Sequence, residues 1–243
     1  MLKIFRLGGK MSLKWAVNGL LDDIYFYAQG IPRLLVTWKP ENELSILKFF
    51  EKNVRKYPNE IAFIFKDQKI TWQEADIKVS EYGAYLQSQS IEKGDCFALL
   101  MDNCPDFLML LLAAHRIGAI AALINTTVTG EGLKHVVTIV DAKAVVLGAS
   151  HIDKFNSSMP ETELQALNVY AIEDSQKIPN EYIDINEQSK GFNDIKSHNL
   201  KIKDVGMYIY TSGTTGLPKA ALITNGRAVK TSYAGQFFGF RAK

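Results

Sequence analysis

The sequence has little that would bind a metal or staple a fold. It contains two cysteines, Cys96 and Cys104, and four histidines among 243 residues. The cysteines stand eight positions apart, which is neither a metal nor a redox spacing. Two such thiols with no export signal point to a reducing compartment. His115, His135, His151 and His198 are scattered, none with a second ligand at metal spacing, so no metal site is expected. No Ser-His-Asp arrangement can be read from the sequence. Charge of one sign is also missing. Lys and Arg number 28 against 26 Asp and Glu, a net +2, which gives no reason to expect nucleic acid as a partner. The opening MLKIFRLGGKMSLKW has basic residues but no apolar core of the kind a signal peptide needs. The longest apolar run, Phe107 to Ile124, carries His115 and Arg116 at its centre. It reads as a helix, a turn at Gly118 and a buried strand rather than as a membrane span. There is no internal repeat.

What is present is ordinary for a globular protein: 47% hydrophobic and 22% charged residues, enough for a sizeable core. Residues 1–40 form a distinct arm. Lys3, Arg6, Lys10, Lys14, Arg33 and Lys39 face only Asp22 and Asp23, a net +4. Leu13, Val17, Leu20, Leu21 and Ile24 recur at helical spacing, among Trp15, Tyr25, Phe26, Tyr27 and Trp38. Such an arm can lie on a membrane surface, or its apolar face can pack on the rest of the protein.

From Glu41 the pattern becomes regular. Leu44, Leu47, Phe50, Val54 and Tyr57 share a helical face that Pro58 ends. Strands are expected at Ile61–Phe65, KITW, Cys96–Met101, Ala119–Ile124, Ala142–Gly148, Asn168–Ile172 and Asp204–Tyr210. Helices are expected at Gln73–Gln89, after an Asn103 cap and Pro105, at Glu131–Asp141, and in GRAVKTSYAGQFFGF. Residues 174–200 are polar and aperiodic, and read as a long surface connection. Strands alternating with helices predict an α/β fold with a mostly parallel sheet flanked by helices.

The last of those strands runs into TSGTTGLPK. Between Tyr210 and Leu217 stand three Thr, one Ser and two Gly, and Lys219 follows. A strand feeding such a turn lines up backbone N–H groups in one concavity, which suits an anion. Gly213 and Gly216 permit geometry that side chains forbid. Thr211, Ser212, Thr214 and Thr215 add neutral donors, and Lys219 adds a mobile point charge. The stretch has the chemistry of a triphosphate cradle. It is not a Walker A loop, because Leu217 and Pro218 separate Gly216 from Lys219, and it lacks the dinucleotide pattern G-x-G-x-x-G. The bland alternative is a Ser/Thr/Gly hairpin turn.

TSGTTGLPK, Thr211–Lys219, resembles the phosphate-loop signature of the AMP-forming adenylating enzymes. The longer YIYTSGTTGLPKAA, with Ala220 where many members have Gly, is similar to the fatty-acid transport protein branch, the very-long-chain acyl-CoA synthetases. AALINTT (Ala121–Thr127) and the stretch Glu43–Asp76 resemble the same branch. Asn225 departs from it, standing where many members carry His. The resemblance implies a partial adenylation domain over residues 41–243, with its phosphate loop at 208–219. It implies that Thr211, Ser212, Gly213, Thr214, Thr215, Gly216 and Lys219 hold the β- and γ-phosphates of ATP, and that Lys219 is catalytic, steadying the departing pyrophosphate. It also implies Mg2+, coenzyme A and a long- or very-long-chain fatty acid as cofactor and substrates, with activation coupled to fatty-acid uptake. The family's magnesium segment, ribose-binding Asp, acyl tunnel and C-terminal domain lie beyond these motifs. The chain is therefore expected to be the N-terminal part of a longer enzyme, with little activity alone. Other readings are a ligase for a carnitine-like or aromatic acid, and a non-catalytic nucleotide-binding or transport protein. The arm and the branch together suggest attachment to the cytoplasmic face of a membrane, with a cytoplasmic location as the alternative.

Overall fold

The apolar runs become strands and the amphipathic stretches become the layers that cover them. A computed structural model describes residues 39–160, 162, 167–211 and 216–238. The arm at residues 1–40 lies outside these, apart from Lys39 and Pro40. The chain divides into two units. One comprises residues 39–228; the other comprises 1–38 and 229–243, of which only 229–238 are described.

Ser45 starts helix α1 (Ile46–Lys56) by accepting from the Lys48 amide, and the helix buries Leu47 and Phe50. An antiparallel hairpin follows, β1 (Ile61–Phe65) and β2 (Gln68–Thr71). Trp72, expected in that second strand, instead opens helix α2 (Trp72–Ser88). The reason is a reciprocal cap. Thr71 Oγ1 accepts from the Glu74 amide at 3.2 Å, and Glu74 Oε2 accepts from the Thr71 amide at 2.8 Å.

Strand β3 (Cys96–Leu100) is buried throughout. Helix α3 (Pro105–Ile117) begins with Pro105, but its cap is Cys104 rather than the expected Asn103, and no side chain bonds there. Gly118 ends it at φ 75°, and β4 (Ile120–Leu123) follows. The long apolar run is thus helix, turn and strand. Among the described residues no helix is long and apolar enough to cross a membrane. Arg116, the buried charge in that run, bonds Asp76 Oδ1 at 2.6 Å and Ser80 Oγ at 2.7 Å, tying α3 to α2.

Helix α4 (Gly130–Thr138), β5 (Ala142–Gly148), a short turn (Ala149–His151), α5 (Ile152–Ser158) and β6 (Asn168–Ile172) continue the alternation. Residues 174–200 are more than a surface connection. They contribute β7 (Ile183–Asp184), which pairs with β6, and α6 (Ile185–Gln188), which buries Ile185 completely. Elements this short hold too few residues to show a period. The chain then forms β8 (Val205–Thr211), β9 (Lys219–Thr224) and α7 (Asn225–Phe238).

The seven-stranded sheet has the order β7-β6-β5-β3-β4-β8-β9. Every pair is parallel except β8 with β9. Alternation along the strands divides the core between two faces. Phe97, Leu99, Ala121, Val146 and Tyr170 pack with α1, α2 and α3, whereas Ala98, Leu100, Ala122, Val145 and Leu147 pack with α4 and α5.

Candidate functional site

Strand β8 runs parallel to β4, so its C-terminal end emerges at the same sheet edge as the ends of β3, β4, β5 and β6. That edge is where open α/β sheets bind ligands. The chain turns back there and returns as β9, with Thr211 directly opposite Lys219 and Tyr210 opposite Ala220. The two strands therefore form antiparallel stems on either side of the glycine- and threonine-rich stretch.

Three residues expected at the site are described, and all are exposed: Thr211, Gly216 and Lys219. The pairing brings Thr211 and Lys219 together across the stems, and Gly216 follows at φ 108° on the returning side. Among the described residues a Cβ at Gly216 would meet nothing within 4 Å, and the backbone angle by itself asks for glycine there. Ser212, Gly213, Thr214 and Thr215 lie outside the described residues.

Both stems are held by one helix. Tyr210 Oη donates to the Val136 carbonyl at 2.5 Å, and His135 Nε2 lies 3.1 Å from the Pro218 carbonyl. Burial raises the Tyr210 phenol well above its ordinary pKa, so it stays a donor. Helix α4 is itself fixed by Leu133, Val136 and Val137, each essentially inaccessible. Burial of such side chains contributes about 1.5–3 kcal/mol apiece. His135 was legible as a helical residue but not as a neighbour of the loop, since 83 positions separate it from Pro218.

The remaining sequence candidates stay apart from the tip. Asn225 is buried at the opposite end of β9, where its Nδ2 donates to the carbonyls of Lys201 at 3.1 Å and Asp204 at 3.3 Å. It ties the base of the hairpin together. His115 is buried beside Gly206, near the start of β8. His151 Nε2 stands 3.5 Å from Asp102 Oδ1. Cys96 and Cys104 are free, and burial pushes the Cys96 thiol up to about 12. Among the described residues no three His, Cys, Asp or Glu side chains converge as a metal site.

Comparison with known proteins gives the chain's family and fold. The family described as "AMP-binding enzyme" matches residues 50–242. The medium/long-chain-fatty-acid–CoA ligase FadD6 of Mycobacterium tuberculosis is 26% identical over 205 residues, covering 84% of this chain and 33% of that protein. Human long-chain fatty acid transport protein 6 is 28% identical over 230 residues, covering 91% of this chain and 37% of that protein. The chain thus spans about a third of the length of these relatives. Among solved structures, o-succinylbenzoate CoA synthetase of Bacillus subtilis shares the fold with a TM-score of 0.64 and 21% identity, over 80% of this chain and 37% of that one.

Proposed function

The chain belongs to the AMP-binding enzyme family, and on that premise we propose that it supplies the triphosphate grip of an ATP-dependent fatty-acid–CoA ligase. The observation that carries this reading is the β8–β9 hairpin, which sets Thr211 against Lys219 around a Gly-rich tip at the ligand-binding edge of a parallel sheet. The names of the relatives supply the substrate class, a medium- to long-chain fatty acid.

The reaction has two steps. A fatty carboxylate oxygen attacks the α-phosphorus of ATP, the bond to the bridging oxygen breaks, and pyrophosphate leaves. The coenzyme A thiol, losing its proton, then attacks the acyl carbon of the mixed anhydride, and AMP leaves. The first step moves charge onto the β- and γ-phosphates. Donors already fixed around those oxygens lower its barrier without reorganising. The hydroxyl and amide groups of the loop sequence would supply neutral donors, and exposed Lys219 can follow the pyrophosphate as it departs. Magnesium would enter with the nucleotide; among the described residues no three His, Cys, Asp or Glu side chains converge that could hold it. Activation to the thioester keeps fatty-acid uptake running downhill, which fits a place at the cytoplasmic face of a membrane.

The test is Lys219→Ala in the complete enzyme. Fatty-acid-dependent ATP–pyrophosphate exchange should fall about 10²-fold, the usual cost of losing one charge-stabilising donor. The unfolding midpoint should hold, because Lys219 is exposed. Exchange at the wild-type rate would sink the assignment.

A further inference from the structure

We infer that His135 is a positioning residue for the phosphate loop, its Nε2–H holding the Pro218 carbonyl so that the peptide leading into Lys219 is fixed. The inference rests on the phosphate-grip reading above and adds a residue to it.

The Pro218 carbonyl has lone pairs and no proton, so the contact at 3.1 Å requires the proton on Nε2. Proline also brings no N–H of its own to the hairpin ladder. Pro218 stands just outside the β8–β9 ladder, which begins at Lys219, and the imidazole supplies a tether at that point. The leading stem is tied to the next residue of the same helix, through Tyr210 Oη and the Val136 carbonyl at 2.5 Å. Consecutive positions of α4 thus clasp the two sides of the tip.

The helix can act as a fixed reference. Leu133, Val136 and Val137 anchor it in the core formed with Ala98, Leu100 and Ala122, and Tyr208 and Tyr210 pack on that same cluster. Its first residue is also held, the Gly130 amide donating to Ser158 Oγ at 2.9 Å. A phosphate grip works by donors that are already in place when charge arrives. Loosening either stem spreads the tip over more conformations, and ordering them again is charged against binding.

The experiment is calorimetric titration of the full 243-residue chain with tripolyphosphate, which needs no fatty acid, coenzyme A or turnover. The wild-type chain should bind, and Lys219→Ala should bind much more weakly. His135→Leu, which removes the donor, should weaken binding about tenfold, roughly the effect of one hydrogen bond. His135→Gln, whose amide N–H can meet the same carbonyl, should stay within about twofold of wild type. Tyr210→Phe, which frees the leading stem, should also weaken binding, and it keeps the clasp testable should His135→Leu fail to fold. Failure of the wild-type chain to bind would overturn the phosphate-grip reading, and this inference with it. Binding that is lost in Lys219→Ala but unchanged in His135→Leu would overturn this inference alone. Equal losses in His135→Leu and His135→Gln would overturn it too, because the shared carbonyl contact would not be the cause.

Discussion

His115 shows how one side chain can tie stability to pH. It is fully buried, and neither ring nitrogen has a hydrogen-bond partner among the described residues. A Cβ on Gly206 would lie 2.5 Å from its Nε2 and 3.0 Å from Asn225 Oδ1, so the absence of a side chain at Gly206 is what lets the three residues pack. Burial lowers the imidazole from 6.5 to about 4; the nearby Gly206 backbone tempers the shift without reaching hydrogen-bond geometry. The sign follows from which state holds the proton. Above pH 6.5 the ring is neutral both folded and unfolded, and its contribution is complete. As pH falls, the unfolded chain takes the proton first, and stability drains until about pH 4. Between pH 7 and pH 5 the loss should be roughly 2 kcal/mol. Urea unfolding of wild type and His115→Leu at both values checks this. The wild-type loss should shrink in the variant, and an equal loss in both would show that His115 is not its source. Lys201 and Lys203 hold the exposed Glu41 carboxyl at about 2 against an ordinary 4.5, so any loss it adds falls mainly below pH 5, under the window compared here.

At the scale of elements, Thr71 and Glu74 decide where a strand becomes a helix. Thr71 is the last residue of β2 and also caps α2, and Glu74 closes the reciprocal bond. Thr71→Ala should cost about 1 kcal/mol, read as a lower urea midpoint at unchanged slope. A midpoint equal to wild type would mean that the cap contributes nothing net. The T-x-x-E pattern is visible in the sequence, yet the aromatic Trp72 draws the eye toward strand. The same contrast runs through the whole fold. Continuous apolar runs such as Cys96–Leu100 and Ala144–Gly148 announce buried strands, because both faces are covered. The two residues of β7 and the four of α6 announce nothing, since their structure comes from pairing with β6 and from burying Ile185. The candidate loop stands out in the sequence because its chemistry is local: glycines, hydroxyls and a lysine within nine residues. The clasp from α4 does not, because no local pattern connects His135 with Pro218. Strand order alone brings them together, through β4 beside β8.

The whole molecule carries an imbalance that its net charge conceals. Residues 1–40 hold six basic and two acidic residues, a net +4, while residues 41–243 hold 22 basic and 24 acidic residues, a net −2. The two halves of that imbalance should respond differently to an anionic surface. Each Lys or Arg near such a surface gains about 1 kcal/mol, within a Debye length of about 10 Å at 0.1 M salt. The apolar positions at helical spacing in the arm, Leu13, Val17, Leu20, Leu21 and Ile24, would add burial among acyl chains. In contrast, the described part of the chain holds no helix able to cross a bilayer. The full chain should therefore float with vesicles containing anionic lipid, and a chain beginning at Lys39 should not. Raising salt to 0.5 M should weaken flotation without abolishing it, because apolar insertion is not screened. Complete release by salt would leave charge alone as the cause. If both chains stay at the bottom of the gradient, the arm's apolar face packs on protein instead, and a ligase built on this fold would have to meet its fatty acid without an anchor from residues 1–40.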